Sequence, residues 1–267
     1  MRNHLLTICI LFLTNSLFSQ EAPTRTYKIF GPDKEKVSIT SQELKGATFY
    51  LVAGHGGPDP GAQGKYGQYT LSEDEYAYDV TLRLARKLIE QGAFVYMITR
   101  DNNDGIRDEA ILKSDKDERC YPNQAIPLNQ LARLSQRTKA VNSLYRKNSS
   151  KYQRVIIIHV DSRSTGENTD VFFYHHHKSK SGKRLARTIR DTFKKKYAQY
   201  QPNRGYTGTV SDRSSLYVIR KTNPPAVFIE LGNIRNPRDQ RRFVLKDNRD
   251  ALAKWIGEAI VKDYKGN

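Results

Sequence analysis

Val155-Ile156-Ile157-Ile158-His159-Val160-Asp161-Ser162 decides the fold. Four consecutive β-branched residues do not alternate, so neither face of this strand is meant for water. Such a run belongs in the middle of a sheet covered on both sides. A histidine directly at its end lies where α/β sheets present their binding groups. Two other strand-like runs end in the same manner. Ala47 to Ala53 leads into Gly54-His55-Gly56-Gly57, and Ala226 to Ile229 leads into Glu230-Leu231-Gly232-Asn233. Further strands are expected at Phe94 to Thr99, Val171 to Tyr174 and Leu216 to Ile219. Helical spacing covers Glu75 to Gln91 through Val80, Leu84, Leu88 and Ile89, with Gly92 as the stop. It returns in Leu128 to Tyr145, Gly182 to Tyr197 and Arg249 to Tyr264. This alternation predicts an α/β fold: a single-domain three-layer sandwich, its mostly parallel or mixed central sheet flanked by helices.

Residues 1–20 have a basic start, an apolar run from Leu5 to Leu13 and a small, polar close at Ser16 to Gln20, as in a signal peptide. The apolar run is too short to span a bilayer, and no other segment is a transmembrane candidate. Roughly 247 residues then remain, enough for one domain with a sizeable core. Residues 21–46 read as an N-terminal arm with a short alternating stretch at Lys36 to Thr40, and 47–267 as the catalytic domain. Residues 101–127, rich in Asp, Lys and Asn, interrupt the pattern as a long insertion, expected to fold over the cleft as a lid or to dock a partner. Beyond the leader Cys120 is alone, so no internal disulfide forms. The expected location is therefore the periplasm, envelope or exterior of a bacterium. The formal net charge of +17 attracts polyanions, for an exported chain acidic membrane surfaces or anionic wall polymers. Its basic clusters, Lys194-Lys195-Lys196 and Arg238 to Arg242, lie in no nucleic-acid-binding motif, and no nucleic-acid partner is expected.

Two histidines and a carboxylate make a catalytic zinc shell with one position left open, so the chain reads as a zinc-dependent hydrolase. His55, flanked by three glycines after a strand, is a metal ligand rather than core filling. His159, emerging from the end of a buried strand, is the second. The carboxylate comes from Glu73-Asp74-Glu75, where acidic residues also suit a helix start for dipole reasons alone. Glu230, delivered to the end of an apolar strand, is costly unless paired, bound or catalytic, and is the candidate general base and acid. His175-His176-His177 alternate in direction along a strand end and cannot all face one ion. Tyr66, Tyr69, Tyr76 and Tyr78 are equally suited to stacking on sugar rings or to the core.

These segments together resemble the amidase-3 family of zinc-dependent N-acetylmuramoyl-L-alanine amidases, bacterial cell-wall hydrolases. The residues carrying the resemblance are His55-Gly56-Gly57-Pro58-Asp59-Pro60-Gly61-Ala62, Leu71-Ser72-Glu73, Gly92 to Arg100, Leu134 with Arg137 and Ala140-Val141-Asn142, Ile157 to Asp161, and Pro225 to Asn233 with Asn236. They span roughly residues 47 to 264 in the family's order, and their combination is specific. The match selects Glu73 over Glu75 as the third ligand. It implies Zn2+ held by His55, Glu73 and His159, Glu230 moving protons, and cleavage of the amide between N-acetylmuramic acid and the stem-peptide L-alanine. It leaves room for a protein activator. Three departures stand out. The aspartate that opens the family's first motif is missing around Val52-Ala53, which removes a partner expected to orient His55. Val160 replaces a small alanine, and the insertion is long. The competing readings are a non-catalytic peptidoglycan-binding scaffold and a zinc amidohydrolase or peptidase acting on another envelope amide.

Overall fold

The computed structural model describes residues 22–162 and 170–266, so the leader expected over 1–20 lies outside the described residues. In chain order the elements are β1 (Thr24–Thr26), β2 (Lys36–Ser38), β3 (Ala47–Ala53), β4 (Gln63–Tyr66), β5 (Tyr69–Ser72) and α1 (Glu73–Glu90). Next come β6 (Phe94–Met97), β7 (Thr99–Arg100), β8 (Arg119–Cys120), β9 (Gln124–Ala125), α2 (Gln130–Lys147) and β10 (Tyr152–Asp161). The chain closes with β11 (Phe172–His175), α3 (Lys180–Tyr200), β12 (Val210–Asp212), α4 (Tyr217–Lys221), β13 (Ala226–Asn233), α5 (Pro237–Val244) and α6 (Lys246–Lys265).

Six strands form the central sheet in the order β12-β11-β13-β10-β3-β6. All neighbours run parallel except β11, which is antiparallel to β13. The non-alternating run of β10 sits between β13 and β3, and its two faces enter different cores. Ile156, Ile158 and Val160 pack with Leu84 and Leu88 of α1, Ile189 of α3 and Ile256 of α6. Val155 and Ile157 pack with Val141 of α2 and Val218 of α4. Burying one such side chain is worth about 1.5–3 kcal/mol, so the register of β10 is held from both sides. No helix among the described residues is long and apolar enough to cross a membrane.

The structure departs from the sequence reading at three elements. Leu216 to Ile219, expected as a strand, enters α4, with Arg220 N–H bonded to Leu216 O at 3.0 Å. Val218 and Ile219 are both buried, which a one-turn helix allows and a one-sided strand does not. The strand expected over Phe94 to Thr99 divides at Ile98, whose N–H bonds Leu51 O while its carbonyl accepts from Tyr121 N–H, so β7 joins a small sheet with β8 and β9. The basic stretch at Arg238 to Arg242 lies within α5, whose Asn236 cap accepts from the N–H groups of Arg238 and Asp239, with Pro237 in the first turn. The described arm residues 22–46 carry a β1–β2 ribbon anchored in the core by buried Phe30 and Val37.

Candidate metal centre and active-site cleft

His55, His159 and Glu230 all stand at the carboxyl ends of adjacent parallel strands, which is where the helix layers leave a crevice. His159 closes the β10 run. His55 follows β3 after Gly54, whose N–H bonds Ile158 O at 2.8 Å. A Cβ on Gly54 would sit 2.4 Å from His159 Cε1, so only glycine lets the two histidine segments approach. Glu73 arrives from the opposite helix layer as the first residue of α1.

The three side chains converge. Ligand atoms of His55, Glu73 and His159 all lie within 4.8 Å of one another. Glu73 Oε1 is 2.8 Å from His159 Nδ1, and Glu73 Oε2 is 3.2 Å from His55 Nε2. The carboxylate is fixed by two backbone donors, Val160 N–H to Oε1 at 2.9 Å and Ala62 N–H to Oε2 at 2.8 Å. Burial opposes ionisation of Glu73, but both histidines hold its pKa far below the usual carboxylate range. For His55, burial is outweighed by the bonds to Asp59 and Glu73, and its pKa rises to about 10. Burial lowers that of His159. Two imidazoles and one ionised carboxylate, converging at the mouth of a cleft, suit a borderline-soft divalent ion such as zinc. Glu75 points elsewhere, to Arg107 at 2.7 Å and to Asp115 N–H at 3.1 Å.

Asp59 takes the part that the sequence reading found missing. Its Oδ2 is 2.9 Å from His55 Nδ1, which leaves Nε2 facing Glu73. Arg133 Nη2 donates to the same oxygen at 2.6 Å, and Gly61 N–H donates to Oδ1 at 3.2 Å. One helical turn on, Arg137 donates to the carbonyl of His55 itself. These contacts hold His55 in a left-handed backbone conformation, φ 62°, sparsely populated for a residue with a Cβ. A sequence signal for this clamp exists in the i, i+4 spacing of Arg133 and Arg137 on one helix face.

Glu230 is opposite His159 in the β10–β13 ladder, just as Phe228 is opposite Ile157. In a parallel pair such partners share a face. Phe228 stacks on the His159 ring at 4.4 Å and 16°, which fixes the ring's plane. Beside the histidines a cleft of about 180 Å³ is walled by Arg133, Leu134, Arg137, Leu216, Tyr217 and Phe228.

The insertion does not cover this cleft, and none of residues 101–127 lines it. It packs beside the site instead, Cys120 and Ile126 in the core cluster of α2 and Gln124-Ala125 bonded to Gln136. Glu118 accepts from Gly57 N–H at 2.6 Å, Arg249 donates to the carbonyls of Arg107 and Glu109, and Tyr76 bonds Ala110 O. By these contacts the insertion braces the turn after His55 and the first half of α1. His175 to His177 join no ligand group among the described residues, and His175 Nδ1 lies 2.9 Å from His176 O. Tyr76 and Tyr78 are core residues, whereas Tyr66 and Tyr69 are exposed on the β4–β5 hairpin.

The chain is similar in sequence and fold to known proteins. The chain is 24% identical over 224 residues to the germination-specific N-acetylmuramoyl-L-alanine amidase of Bacillus subtilis, covering 84% of this chain and 82% of that one. It is 28% identical over 220 residues to the probable cell wall amidase LytH of Staphylococcus aureus, covering 82% of this chain but 57% of LytH. The fold is similar to that of the CwlD amidase of Clostridioides difficile, solved in complex with the GerS lipoprotein. There the TM-score is 0.61 at 20% identity, over 83% of this chain and all of the other. The amidase-3 family profile, described as N-acetylmuramoyl-L-alanine amidase, matches residues 50–262, and the chain belongs to that family.

Proposed function

We propose that this protein is a zinc hydrolase that cuts the amide joining the lactyl group of N-acetylmuramic acid to the L-alanine of the peptidoglycan stem peptide. The observation that carries the reading is the convergence of His55, Glu73 and His159 at the ends of two parallel strands, with Glu230 beside His159 in the next strand. His55, Glu73 and His159 would hold the ion. Zinc, when bound, supplies Lewis-acid polarisation of a carbonyl and lowers the pKa of a water towards about 7. Glu230 takes a proton from the attacking water and returns it to the leaving alanine nitrogen. Asp59 and Arg133 keep the His55 ring in its orientation, and Arg137 holds its backbone. Phe228 fixes the His159 ring by stacking.

LytH is named as a cell wall amidase, which supports an envelope or secreted location for this chain. The CwlD–GerS complex supports an activating or anchoring protein partner. The test is digestion of purified peptidoglycan with and without a zinc chelator, the products being identified by mass spectrometry. Stem peptides beginning with L-alanine, lost on chelation and restored by zinc, are expected. Binding without cleavage at any zinc level would leave a scaffold, and cleavage at another amide would discard the substrate assignment.

A further inference from the structure

A second cluster of ligand-type side chains lies next to the first in sequence and shares no residue with it. Asp74, Glu75 and Glu118 offer carboxylate oxygens that all lie within 4.8 Å of one another. The residues are only 2%, 2% and 5% exposed. Three carboxylates so close and so dry repel one another unless a counter-charge is present. The partners in view do not suffice. Glu75 has the Asp115 N–H at 3.1 Å and Arg107 at 2.7 Å, the latter shared with Asp104. Glu118 accepts one backbone N–H, from Gly57, and Asp74 Oδ1 accepts one, from Glu75. Asp74 Oδ2 is buried with no hydrogen-bond partner among the described residues. An orphaned buried acceptor is costly, and native structures rarely leave one without a missing ligand to explain it.

We propose that this triad is a second metal site, distinct from the His55–Glu73–His159 group, that binds a hard divalent cation of the calcium class through Asp74, Glu75 and Glu118. An all-carboxylate donor set favours calcium or magnesium over zinc. Calcium fits better, because it accepts irregular sets of mono- and bidentate carboxylates in a buried site, whereas magnesium demands near-ideal octahedral geometry and retains several waters. The ion would tie the first turn of α1, which carries Glu73, to the insertion, which carries Glu118. In this arrangement the insertion braces the helix end and the Gly56-Gly57 turn from behind. The inference stands whether or not the amidase reading holds.

The test is metal binding by the whole mature protein. After stripping with EDTA, the protein is dialysed against calcium at about 10 mM, above the weakest range of such sites, and bound calcium is counted by mass spectrometry. One calcium per chain is expected in the wild type and in His55→Ala, which removes a ligand of the other group. At a hundredfold excess over Kd the midpoint of thermal unfolding should rise by about 5 °C or more. Glu118→Gln, which can still accept from Gly57, should lose both effects. A folded wild type that retains no calcium would overturn the proposal. So would equal retention by Glu118→Gln and Asp74→Asn. An Asp74→Asn variant that is more stable than a calcium-insensitive wild type would assign a shared proton to the cluster instead.

Discussion

Replacing Asp59 by asparagine isolates the clamp on His55. The side chain keeps its size and an acceptor for Gly61 N–H, but the charge that holds His55 Nδ1 at 2.9 Å and Arg133 Nη2 at 2.6 Å is lost. Arg133 is 8% exposed and retains a bond to the carbonyl of Leu128, so it is weakened rather than stripped of partners. A charge-assisted hydrogen bond contributes roughly 1.5–3 kcal/mol, and part of each survives in the amide, so the expected stability loss is about 1–2 kcal/mol. The larger effect falls on the metal. Loss of an outer partner that fixes a ligating imidazole typically costs 10–100-fold in affinity, about 1.4–2.7 kcal/mol. Competition for zinc with a chromophoric chelator measures the second quantity, and urea unfolding the first. If zinc affinity stays within about twofold of wild type while stability falls, Asp59 is only a structural anion, and its assignment as the orienting partner fails.

Glu230→Gln should retain zinc while turnover on peptidoglycan drops by about 100-fold or more, because the amide cannot move a proton; near wild-type hydrolysis would remove Glu230 from the chemistry. Gly54→Ala should leave the fold largely intact but displace His159, since the new Cβ would meet its ring at 2.4 Å, and zinc affinity should fall with it. Arg249, fully buried, binds Asp79 at 2.7 Å and the carbonyls of Arg107, Glu109 and Phe243. Its replacement by methionine leaves Asp79 with Arg83 and the Arg107 N–H, takes a donor from the carbonyls of Phe243 and Glu109, and should cost about 3 kcal/mol in denaturant unfolding. Glu118 predicts a pH effect: burial raises its pKa from 4.5 to about 7, so the folded state holds the proton more tightly. In calcium-free buffer its contribution to stability is present below about pH 4.5 and lost as the pH rises to about 7, up to about 3 kcal/mol. Glu118→Gln should flatten that slope, and an unchanged slope would show that other groups set it.

The β-branched run before His159 and the glycines around His55 made the sheet and two of the converging side chains legible, because burial on both faces and tight turns leave direct marks on residue type. Leu216 to Ile219 misled because a short apolar run is the same in a strand and in a buried helical turn. The α5 signal was present in Asn236-Pro237 but was obscured by the charge of the arginines, of which Arg242 is buried against Asp170 and Asp239. The insertion carries no hydrophobic period, so its sequence could not say which side of the site it lies on. Its polar anchors on α1 and α6 are made between residues far apart in the chain.

By itself the sequence determined the α/β alternation, the three strand ends that carry His55, His159 and Glu230, and the membership of the family, since all three are written in local pattern and motif. Tertiary structure added the contacts that separate Glu73, already preferred from the motif, from Glu75, brought Asp59 to the His55 ring, and laid the insertion beside the site as a buttress. Those outcomes depend on which way a helix end faces and on which distant groups meet in the absence of water, and neither is encoded in the spacing of residues along one segment.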